Sequence, residues 1–366
     1  MITIIGAGPA GCTAAYELTK AGKEVQLFEE HPKIGLPVQC TGVLTKTAKE
    51  VLEIKEDFLT NTIKKIKVFA PNGNFLEVNL KEEEFLIDRD RLDPYLAKQA
   101  EKAGAVIYTS HKFLGKEDGK LLIKDNTTGK TKKAETDILI GADGPLSAVA
   151  KSENIFGERE FYIGVQARIK MKIELHTYET YLGSNFPEFF GWIVPENNGI
   201  VRIGLGAKKD ANAYFNKFME MKGLKKQDVV DYQGGLIPIY KPGIITQKNN
   251  TYLVGDAATH IKSTTGGGLV QGMTAAKILA GCIINNKDYT KEWRKKICRE
   301  LWLHYRLRKT LDKFRDKDYD KLIGLTNKRR IINVLESYSR DKPSSLLLQL
   351  LLKEPRYLGF AVTLLR

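Results

Sequence analysis

The sequence contains little cysteine for its 366 residues, and none of it is arranged as a CxxC pair. The cysteines are Cys12, Cys40, Cys282 and Cys298. None has a histidine at zinc-ligand spacing, so neither a disulfide framework nor a structural zinc site is expected. A long apolar run is also missing, because residues 346–352 are the most apolar stretch and a membrane-spanning helix needs about 18 residues. We therefore expect no transmembrane helix.

A basic leader and a cleavage site are likewise missing before the first apolar residues, which run directly into a glycine turn. This pattern favours a cytoplasmic protein. Hydrophobic residues make up 42 % of the chain and aromatic residues 9 %. That composition supports a sizeable core and excludes a mainly disordered chain.

Acidic residues are too few to balance the basic ones, and the formal net charge is +14. Residues 291–330 contain 15 basic and 6 acidic residues, so most of the excess lies in one C-terminal segment. Such a segment is either a solvated helical face or a contact for anionic lipid head groups, with residues 346–352 and 357–365 as an interfacial element. No nucleic-acid-binding motif occurs, so nucleic acid is not an expected partner.

The N-terminus predicts a βαβ unit, because apolar runs at residues 2–5 and 25–28 flank a helical pattern. The connecting turn has the spacing Gly6-x-Gly8-x-x-Gly11. This spacing suits a pyrophosphate, because backbone N–H groups and a helix N-terminus approach the phosphates there. Glu29 ends the second strand, where a carboxylate accepts both hydroxyls of an adenosine ribose. It disfavours a 2′-phosphate, so NADP is not the expected occupant.

A second carboxylate, Asp256, follows a predicted strand and precedes a helix opened by residues 266–268, which are all glycine. A carboxylate at this strand end holds the ribityl hydroxyls of a flavin, which argues for FAD rather than NAD. The N-terminus of that helix would face the pyrimidine edge of the flavin, where negative charge develops on reduction. Asp143 and Gly144 form a similar pair near the pyrophosphate, and an ordinary turn is an equal alternative there.

Strand and helix patterns predict an α/β fold whose domains are built from separated segments. Hairpins and alternating strands indicate an antiparallel substrate domain inserted into a Rossmann-like domain, followed by helices. The predicted parts are a Rossmann-like FAD-binding domain at 1–62, 86–158 and 245–288, a substrate domain at 63–85 and 159–244, and a helical C-terminal region at 289–366.

The three glycine-containing motifs together resemble those of the FAD-dependent oxidoreductases that share the para-hydroxybenzoate hydroxylase fold. The resemblance covers most of residues 1–290. Within that group, four stretches are similar to the geranylgeranyl reductase family of isoprenoid and archaeal lipid synthesis. They are Leu-Pro-Val-Gln-Cys-Thr-Gly at 36–42, Tyr-Leu-Gly-Ser at 181–184, Phe-Gly-Trp-Ile-Val-Pro at 190–195 and Thr-Gly-Gly-Gly-Leu at 265–269.

The resemblance implies a set of residues that contact FAD, and it places Cys40 near the flavin ring as the candidate catalytic residue. A small buried hydrophobe is the alternative for Cys40, and a surface arginine is the alternative for Arg89. The predicted FAD site comprises Gly6, Gly8, Pro9, Ala10, Gly11, Glu29, Gln39, Cys40, Gly42, Arg89, Asp143, Asp256, Gly266, Gly267, Gly268 and Leu269.

The stretch 190–195 is similar to a family pattern, Tyr-x-Trp-x-Phe-Pro, that lines the cavity for the isoprenoid chain. The predicted substrate-binding residues are Tyr181, Phe190, Trp192 and Pro195. Aromatic walls suit a long apolar substrate and stabilise positive charge on an alkene carbon, and ordinary core packing is the alternative. The sequence departs from the family in four places. Phe190 replaces Tyr, Val194 replaces Phe, and Gln39 replaces Arg. The stretch Lys262-Ser263-Thr264-Thr265 stands where the family has a proline before the Thr-Gly-Gly-Gly turn.

The resemblance implies an FAD-dependent reductase that saturates carbon–carbon double bonds of geranylgeranyl chains in archaeal-type ether lipids. Its partners would be a prenyl lipid substrate and an external electron donor, either NAD(P)H or ferredoxin, because no second complete nucleotide-binding unit is present. The first alternative is a flavin monooxygenase or halogenase of the same fold, since 190–195 is close to the halogenase pattern Trp-x-Trp-x-Ile-Pro. The second is a non-enzymatic flavoprotein or lipid-binding module.

Overall fold

The computed structural model describes residues 1–197 and 199–365, with side chains described through residue 360. The strands in these residues are β1 (Ile2–Ile5), β2 (Val25–Phe28), β3 (Val43–Leu44), β4 (Leu59–Phe69), β5 (Phe75–Ile87), β6 (Val106–Tyr108), β7 (His111–Glu117), β8 (Lys120–Asp125), β9 (Thr131–Ala134), β10 (Ile138–Gly141), β11 (Phe161–Lys170), β12 (Thr177–Tyr181), β13 (Gly191–Asn197), β14 (Ile200–Ala207), β15 (Val229–Pro238), β16 (Gln247–Lys248) and β17 (Thr251–Leu253). The helices are α1 (Pro9–Lys20), α2 (Arg89–Lys102), α3 (Ala148–Ser152), α4 (Ala211–Met221), α5 (Leu269–Asn285), α6 (Tyr289–Trp293), α7 (Arg299–Leu311), α8 (Asp316–Thr326), α9 (Arg329–Ser337) and α10 (Pro343–Lys353).

The first compact unit is built from Met1–Val38, Arg89–Glu160 and Pro238–Trp302. Its main sheet has the order β16-β17-β10-β1-β2-β6 and is parallel except for the edge strand β16. All four residues of β1 are buried, as expected of a central parallel strand covered on both faces. A separate antiparallel sheet contains β7, β8 and β9. The predicted β1-α1-β2 unit is confirmed, and so is the Rossmann-like, para-hydroxybenzoate hydroxylase-like fold class.

The second compact unit is built from Gln39–Asp88, Phe161–Ile237 and the chain from Leu303 onwards. Its eight-stranded sheet has the order β15-β11-β14-β13-β12-β4-β5-β3. The described pairs are antiparallel except β12 with β4, which is parallel. Alternate residues of β11, β13 and β14 face α4 and form an apolar core, for instance Ala167, Ile193 and Ile203. Because side chains alternate along a strand, the residues between them face the other side of the sheet.

The units differ from the predicted domain boundaries in two places. Residues 39–62 were predicted in the FAD-binding domain, but they lie in the second unit, because β3 and β4 pair with β5 in the eight-stranded sheet. The helices from Leu303 onwards were predicted as a region of their own, and they also belong to this unit. One reason is that Ile323 of α8 packs against Leu76 and Val78 of β5 in a small second core. Residues of α9 pack against the same core.

The C-terminal helical segment is present as predicted in the fold class. Within the described part of the chain, no helix combines the length and the apolar character that crossing a membrane requires. The four cysteines form no disulfide bonds with one another. The interfacial element proposed for 357–365 lies outside the described side chains from residue 361 on.

Candidate functional site

The first glycine turn closes tightly on backbone atoms and leaves the N-terminus of α1 open. Gly6 has a φ of +101°, and a Cβ there would lie 2.4 Å from the carbonyl oxygen of Ala142. A Cβ on Gly11 would lie 2.0 Å from the carbonyl oxygen of Gly6. A Cβ on Gly8 would meet no described atom within 4 Å, and no described side chain caps the helix, which begins at Pro9. The open amide groups at this helix start suit a phosphate.

Glu29 ends β2 beside this turn and is held by three contacts. Its Oε2 accepts a hydrogen bond from the backbone N–H of Ala7 at 2.9 Å. Its Oε1 accepts one from the backbone N–H of His31 at 3.0 Å and lies 2.6 Å from Nδ1 of the same residue. A carboxylate has about four acceptor positions, so Glu29 keeps room for about one ribose hydroxyl while its position is fixed.

Arg89 begins α2 and binds Asp93 one turn later. Its Nε and Nη2 donate two hydrogen bonds of 2.6 Å to the two carboxylate oxygens of Asp93. Burial raises the pKa of the Asp93 carboxyl, and the charge of Arg89 opposes that rise. About 20 % of the Arg89 side chain remains exposed. The guanidinium is therefore a fixed cation rather than a mobile surface arginine, and its predicted contact with the adenosine side of the cofactor stays a prediction.

Asp256 is the most informative carboxylate of the first unit, because no described residue donates a hydrogen bond to it. It lies in a short turn after β17. Burial raises the pKa of its carboxyl to about 6, and the charge of Arg89 only partly opposes this rise. A Cβ on Gly268 would lie 3.0 Å from Oδ1 of Asp256. Because the residue is half-buried and no described group donates to its oxygens, this carboxylate fits donors supplied by a ligand, such as ribityl hydroxyls.

The glycines before α5 form the second open helix start. Gly266 has a φ of +68°, and Gly268 precedes Leu269, the first helical residue, without a side-chain cap among the described residues. The backbone N–H of Lys262 donates to the carbonyl oxygen of Gly267 at 3.1 Å. A Cβ on Gly267 would lie 2.9 Å from Cε of Lys262. The backbone and the side chain of Lys262 therefore both lie beside the glycine turn.

Ala10 packs between the two glycine motifs. A Cβ on Gly255 would lie 3.0 Å from the Ala10 methyl group, and one on Gly272 would lie 3.7 Å from it. The methyl group of α1 therefore fills the space that these glycines leave, which draws α1 and α5 together. This packing places the two open helix starts in one unit around a common set of small residues.

Asp143 is engaged within its own turn. Its Oδ1 accepts a hydrogen bond from Oγ of Ser147 at 2.6 Å, and its Oδ2 accepts one from the backbone N–H of Val149 at 3.0 Å. Burial raises the pKa of the Asp143 carboxyl. These bonds order the start of α3 and support the ordinary-turn alternative. The predicted contact of Asp143 with FAD stays a prediction.

Arg159 joins the Asp143 and Asp256 turns, and no sequence motif indicated it. Its Nη1 donates to the carbonyl oxygen of Pro145 at 3.3 Å, and its Nη2 donates to that of Ala257 at 2.8 Å. Its Nε donates to a third carbonyl oxygen at 2.8 Å. Burial lowers the pKa of Arg159 to about 10, while the nearby Asp143 opposes the shift. The guanidinium therefore fixes the spacing of two turns that come together only in the folded chain.

We expect Arg159→Ala to weaken FAD binding about tenfold, because the two turns lose the hydrogen bonds that hold them in place. The net loss of about one hydrogen bond, roughly 1 kcal/mol, corresponds to a change of this size. A fluorescence titration of the cofactor-free protein with FAD measures the dissociation constant. Lys112→Ala is the matched control, because Lys112 forms a surface ion pair with the exposed Glu30 of the same unit. Equal dissociation constants for Arg159→Ala and the unchanged chain would contradict this role.

Three predicted cofactor residues, Gln39, Cys40 and Gly42, lie in the second unit. The backbone N–H of Gly42 donates to Sγ of Cys40 at 3.3 Å, which orients the sulfur. Gly42 has a φ of +83°, and a Cβ there would lie 2.2 Å from the carbonyl oxygen of Ile87. Gln39 contacts β15, since a Cβ on Gly235 would lie 2.9 Å from its own Cβ. Cys40 thus sits on a segment that is docked on the sheet.

Phe190 and Trp192 lie together on the sheet face opposite α4. Their rings are 5.7 Å apart in an edge-to-face arrangement, and Phe189 stacks on Phe190 at 4.3 Å. Glycines of β14 make room for the rings. A Cβ on Gly204 would lie 2.6 Å from Cζ2 of Trp192, and a Cβ on Gly206 would lie 2.7 Å from Cδ1 of Phe189. The aromatic residues therefore form an ordered apolar wall over the glycine positions of β14.

Tyr181 and Pro195 lie elsewhere. The ring of Tyr181 is part of the core beneath α4 and stacks on Phe69 at 4.8 Å. Its hydroxyl binds Glu179 and accepts from Nζ of Lys222 at 2.6 Å. Pro195 alternates onto the same face as Ile193 of that core. Of the four predicted substrate-binding residues, the structure brings together Phe190 and Trp192, and the packing of the other two does not favour a substrate contact.

The residues of the first unit fit a flavin dinucleotide. Two helix starts are open, Glu29 is fixed beside one of them, and Asp256 lacks a described donor beside the other. Side chains at Gly8 or Gly268 would fill the space that a dinucleotide needs. No group of metal-ligating side chains that could hold a metal ion occurs among the described residues.

Comparison with known proteins also indicates that the chain binds FAD. Residues 1–213 match the family described as FAD binding domain. The chain is 30 % identical to the digeranylgeranylglycerophospholipid reductase of Methanocaldococcus jannaschii, over 88 % of this chain and 89 % of that protein. It is 28 % identical to digeranylgeranylglycerophospholipid reductase 2 of Methanothermobacter thermautotrophicus, over 88 % and 90 %.

Solved structures show the same fold. A geranylgeranyl bacteriochlorophyll reductase-like protein of Thermoplasma acidophilum superposes with a TM-score of 0.85 at 24 % identity, covering 97 % of this chain and 96 % of that one. The flavin-dependent halogenase CmlS superposes with a TM-score of 0.69 at 14 % identity, covering 96 % of this chain and 77 % of that one. The chain therefore belongs to the geranylgeranyl reductase family of FAD-dependent oxidoreductases.

Proposed function

We propose that the chain saturates carbon–carbon double bonds in the prenyl chains of archaeal-type ether phospholipids. The observation that supports this substrate class is the wall of Phe189, Phe190 and Trp192, which is ordered by glycines of β14. A surface of stacked rings with a single indole N–H suits a long apolar chain. The names of the relatives, digeranylgeranylglycerophospholipid reductases, point to the same class.

Bound FAD supplies the two-electron chemistry, because a reduced flavin delivers a hydride. The first unit holds this cofactor through its open helix starts and through the carboxylates of Glu29 and Asp256. The ring faces of Phe190 and Trp192 exclude water and stabilise positive charge on an alkene carbon. Cys40 is the proposed catalytic residue, because the amide contact from Gly42 orients its sulfur and the reaction needs a proton at the second carbon.

Cys40→Ala should lower the turnover of a prenyl phospholipid about a hundredfold, since positioned proton transfer typically contributes 10²–10⁴-fold. The assay uses enzyme holding FAD, reduced with dithionite without oxygen, and counts two added hydrogens per bond by mass spectrometry. Cys298→Ala is the matched control, because this half-buried thiol contacts Tyr240 in the first unit. Unchanged turnover in Cys40→Ala, or no reduced lipid with the unchanged chain, would contradict the proposal.

An oxygen-using monooxygenase or halogenase is the second candidate, supported by Trp192 and Pro195 at two positions of the halogenase pattern. Phe190 stands where that pattern has its first Trp. Rapid oxygen consumption with peroxide or a hydroxylated product would favour this candidate, whereas turnover that is insensitive to oxygen removal favours the reductase. The donor is proposed to be NAD(P)H or ferredoxin, and anaerobic reduction of bound FAD by each distinguishes them.

We also propose that α10 contacts an anionic membrane surface. Leu348 and Leu352 of α10 are 58 % and 68 % exposed, and Leu358 is 59 % exposed nearby in the chain. Three cations, Lys328, Arg330 and Arg356, bind the one carboxylate of Glu354 at the end of this helix. Exposed leucines beside excess positive charge are typical of an interfacial helix.

A Leu348→Ser/Leu352→Ser variant should bind phosphatidylglycerol vesicles at least tenfold more weakly, because about 0.8 kcal/mol is lost per CH₂ removed from the interface and two such groups already give a tenfold change. Vesicle cosedimentation measures the binding. Tyr232→Ser is the control, since Tyr232 is 61 % exposed on β15 of the same unit. Equal binding by the leucine variant, or equal binding to neutral phosphatidylcholine, would refute the membrane contact.

A further inference from the structure

Gln166 of β11 is a buried residue whose amide oxygen and amide nitrogen both have hydrogen-bond partners. Its Oε1 accepts one hydrogen bond from Oγ1 of Thr41 at 2.7 Å and another from Nε1 of Trp192 at 2.8 Å. Its Nε2 donates to Oε1 of Gln233 at 2.6 Å. The orientation of the amide follows from chemistry, because an indole N–H only donates and must therefore meet the oxygen. One oxygen thus joins the aromatic wall to the residue next to Cys40.

The sheet explains how Gln166 reaches Trp192 across an intervening strand. Gln166 lies opposite Gly204 of β14, and Gly204 lies opposite Trp192 of β13. Because Gly204 has no side chain, the indole ring lies over the backbone of β14 and brings Nε1 to Gln166. Any Cβ at position 204 would also lie 2.7 Å from the carbonyl oxygen of Val165. The contact therefore depends on Gln166, Gly204 and Trp192 lying opposite one another on three adjacent strands.

Thr41 is held a second time through its carbonyl group. Nη1 of Arg202 donates to the carbonyl oxygens of Thr41 at 2.6 Å and Ile87 at 3.0 Å. The guanidinium itself is buried, and its Nε donates to Glu196 at 2.6 Å. Glu196 also accepts two hydrogen bonds from Arg168, which keeps the buried charges paired. Gln166 therefore holds the side chain of Thr41, and Arg202 holds its carbonyl group.

We propose that Gln166 is a positioning residue, whose one oxygen sets the indole of Trp192 and, through Thr41, the thiol of Cys40. This inference rests on the proposed function, which makes Trp192 a substrate contact and Cys40 the catalytic residue. Gln166 touches neither substrate nor cofactor in this role. Loss of the Gln166 oxygen removes a hydrogen bond from Trp192 and one from Thr41 at the same time. The hydrogen bond from Arg202 to the carbonyl oxygen of Thr41 then remains.

The test compares Gln166→Met, which is similar in size and lacks the acceptor, with Gln233→Met, which removes only the partner of Nε2. The first readout is the rate at which iodoacetamide labels Cys40, resolved by peptide mass spectrometry from the other three cysteines. We expect labelling about tenfold faster in Gln166→Met, since roughly one net hydrogen bond no longer closes the segment. Gln233→Met should label at the rate of the unchanged chain. Thr41→Val should reproduce the faster labelling and add nothing in the double variant.

Kinetics on the FAD-loaded enzyme give the second readout. Gln166→Met should lower kcat and raise KM, because both the thiol and the aromatic wall move, while Gln166→Glu retains both acceptor contacts and restores labelling towards the original rate. Unchanged Cys40 labelling in both Gln166→Met and Thr41→Val overturns the positioning role. Altered labelling in a chain that reduces no prenyl lipid leaves the positioning role standing and overturns the proposed function instead.

Discussion

An Asp256→Asn variant is expected to bind FAD about a hundredfold more weakly than the unchanged chain at pH 7. Asp256 is half-buried without a described donor, and a Cβ on Gly268 would lie 3.0 Å from its Oδ1. Hydroxyl groups of the cofactor would donate to the carboxylate, and each hydrogen bond to a charged group contributes about 1.5–3 kcal/mol. An asparagine offers one acceptor oxygen and no charge, so one or two such bonds are lost.

The same variant should change how FAD binding depends on pH. Because the pKa of Asp256 is raised to about 6, the unchanged chain loses the charged acceptor as the pH falls from 7 to 5, and its FAD affinity decreases. The Asp256→Asn chain has no such group, so its dissociation constant stays constant over this range. Fluorescence titrations at several pH values measure both curves. A flat curve for the unchanged chain would show that Asp256 does not accept from FAD.

The stability of the cofactor-free protein should move in the opposite direction. A carboxyl whose pKa is raised on folding favours the folded state while it is protonated, and this advantage is lost as the pH rises through about 6. Relative to Asp256→Asn, the unchanged chain should therefore lose thermal stability between pH 4 and pH 6. Asp288→Asn is the control, because Asp288 caps α6 in the same unit and asparagine caps equally well.

A Gly42→Ala variant should lower the free energy of unfolding by about 3 kcal/mol and abolish turnover. Two causes add: a left-handed backbone disfavours alanine by about 1 kcal/mol, and overpacking adds about 1–3 kcal/mol. The second cause operates because a Cβ at Gly42 would lie 2.2 Å from the carbonyl oxygen of Ile87 and 2.9 Å from Nη1 of Arg202. The Cys40 segment must then leave its position on the sheet.

Gly73→Ala separates the two causes. Gly73 has a φ of +86°, close to the +83° of Gly42, but a Cβ there would meet no described atom within 4 Å. Urea unfolding of the two variants should give a loss of about 1 kcal/mol for Gly73→Ala, with turnover retained. Equal losses for both variants would mean that the close approach at Gly42 has no energetic consequence.

The parts of the fold that were predictable have local signals in the sequence. The β1-α1-β2 unit follows from apolar runs around a glycine turn, and the β4–β5 hairpin follows from Asn72-Gly73 between alternating residues. The boundary at residues 39–62 was missed, because β3 is two residues long and pairs with β5 far along the chain. Short strands that depend on distant partners leave little periodicity to detect.

The candidate site shows the same division. Glu29 and Asp256 follow strands and were predictable, whereas Arg159 and Gln166 depend on contacts with residues 98 and 125 positions away. In the sequence, Gln166 and Arg168 look like the exposed polar residues of an alternating strand. Gln166 becomes buried through its contacts with Thr41 and Gln233, whereas the side chain of Arg168 stays 32 % exposed while it binds Glu196 and Asp231. The position of Tyr181 in the core beneath α4 has no sequence signal either, since an aromatic residue near a motif does not indicate which sheet face it occupies.

The packing of Trp192 on Gly204 affects how the two positions evolve and how they can be redesigned. A ring that lies over a bare backbone cannot be exchanged independently of the position beneath it, because a smaller residue at 192 leaves a void and any side chain at 204 displaces the indole. The two positions should therefore covary among relatives, with glycine at 204 accompanying tryptophan at 192. A library that aims to change the chain length accepted by the protein should randomise both codons together.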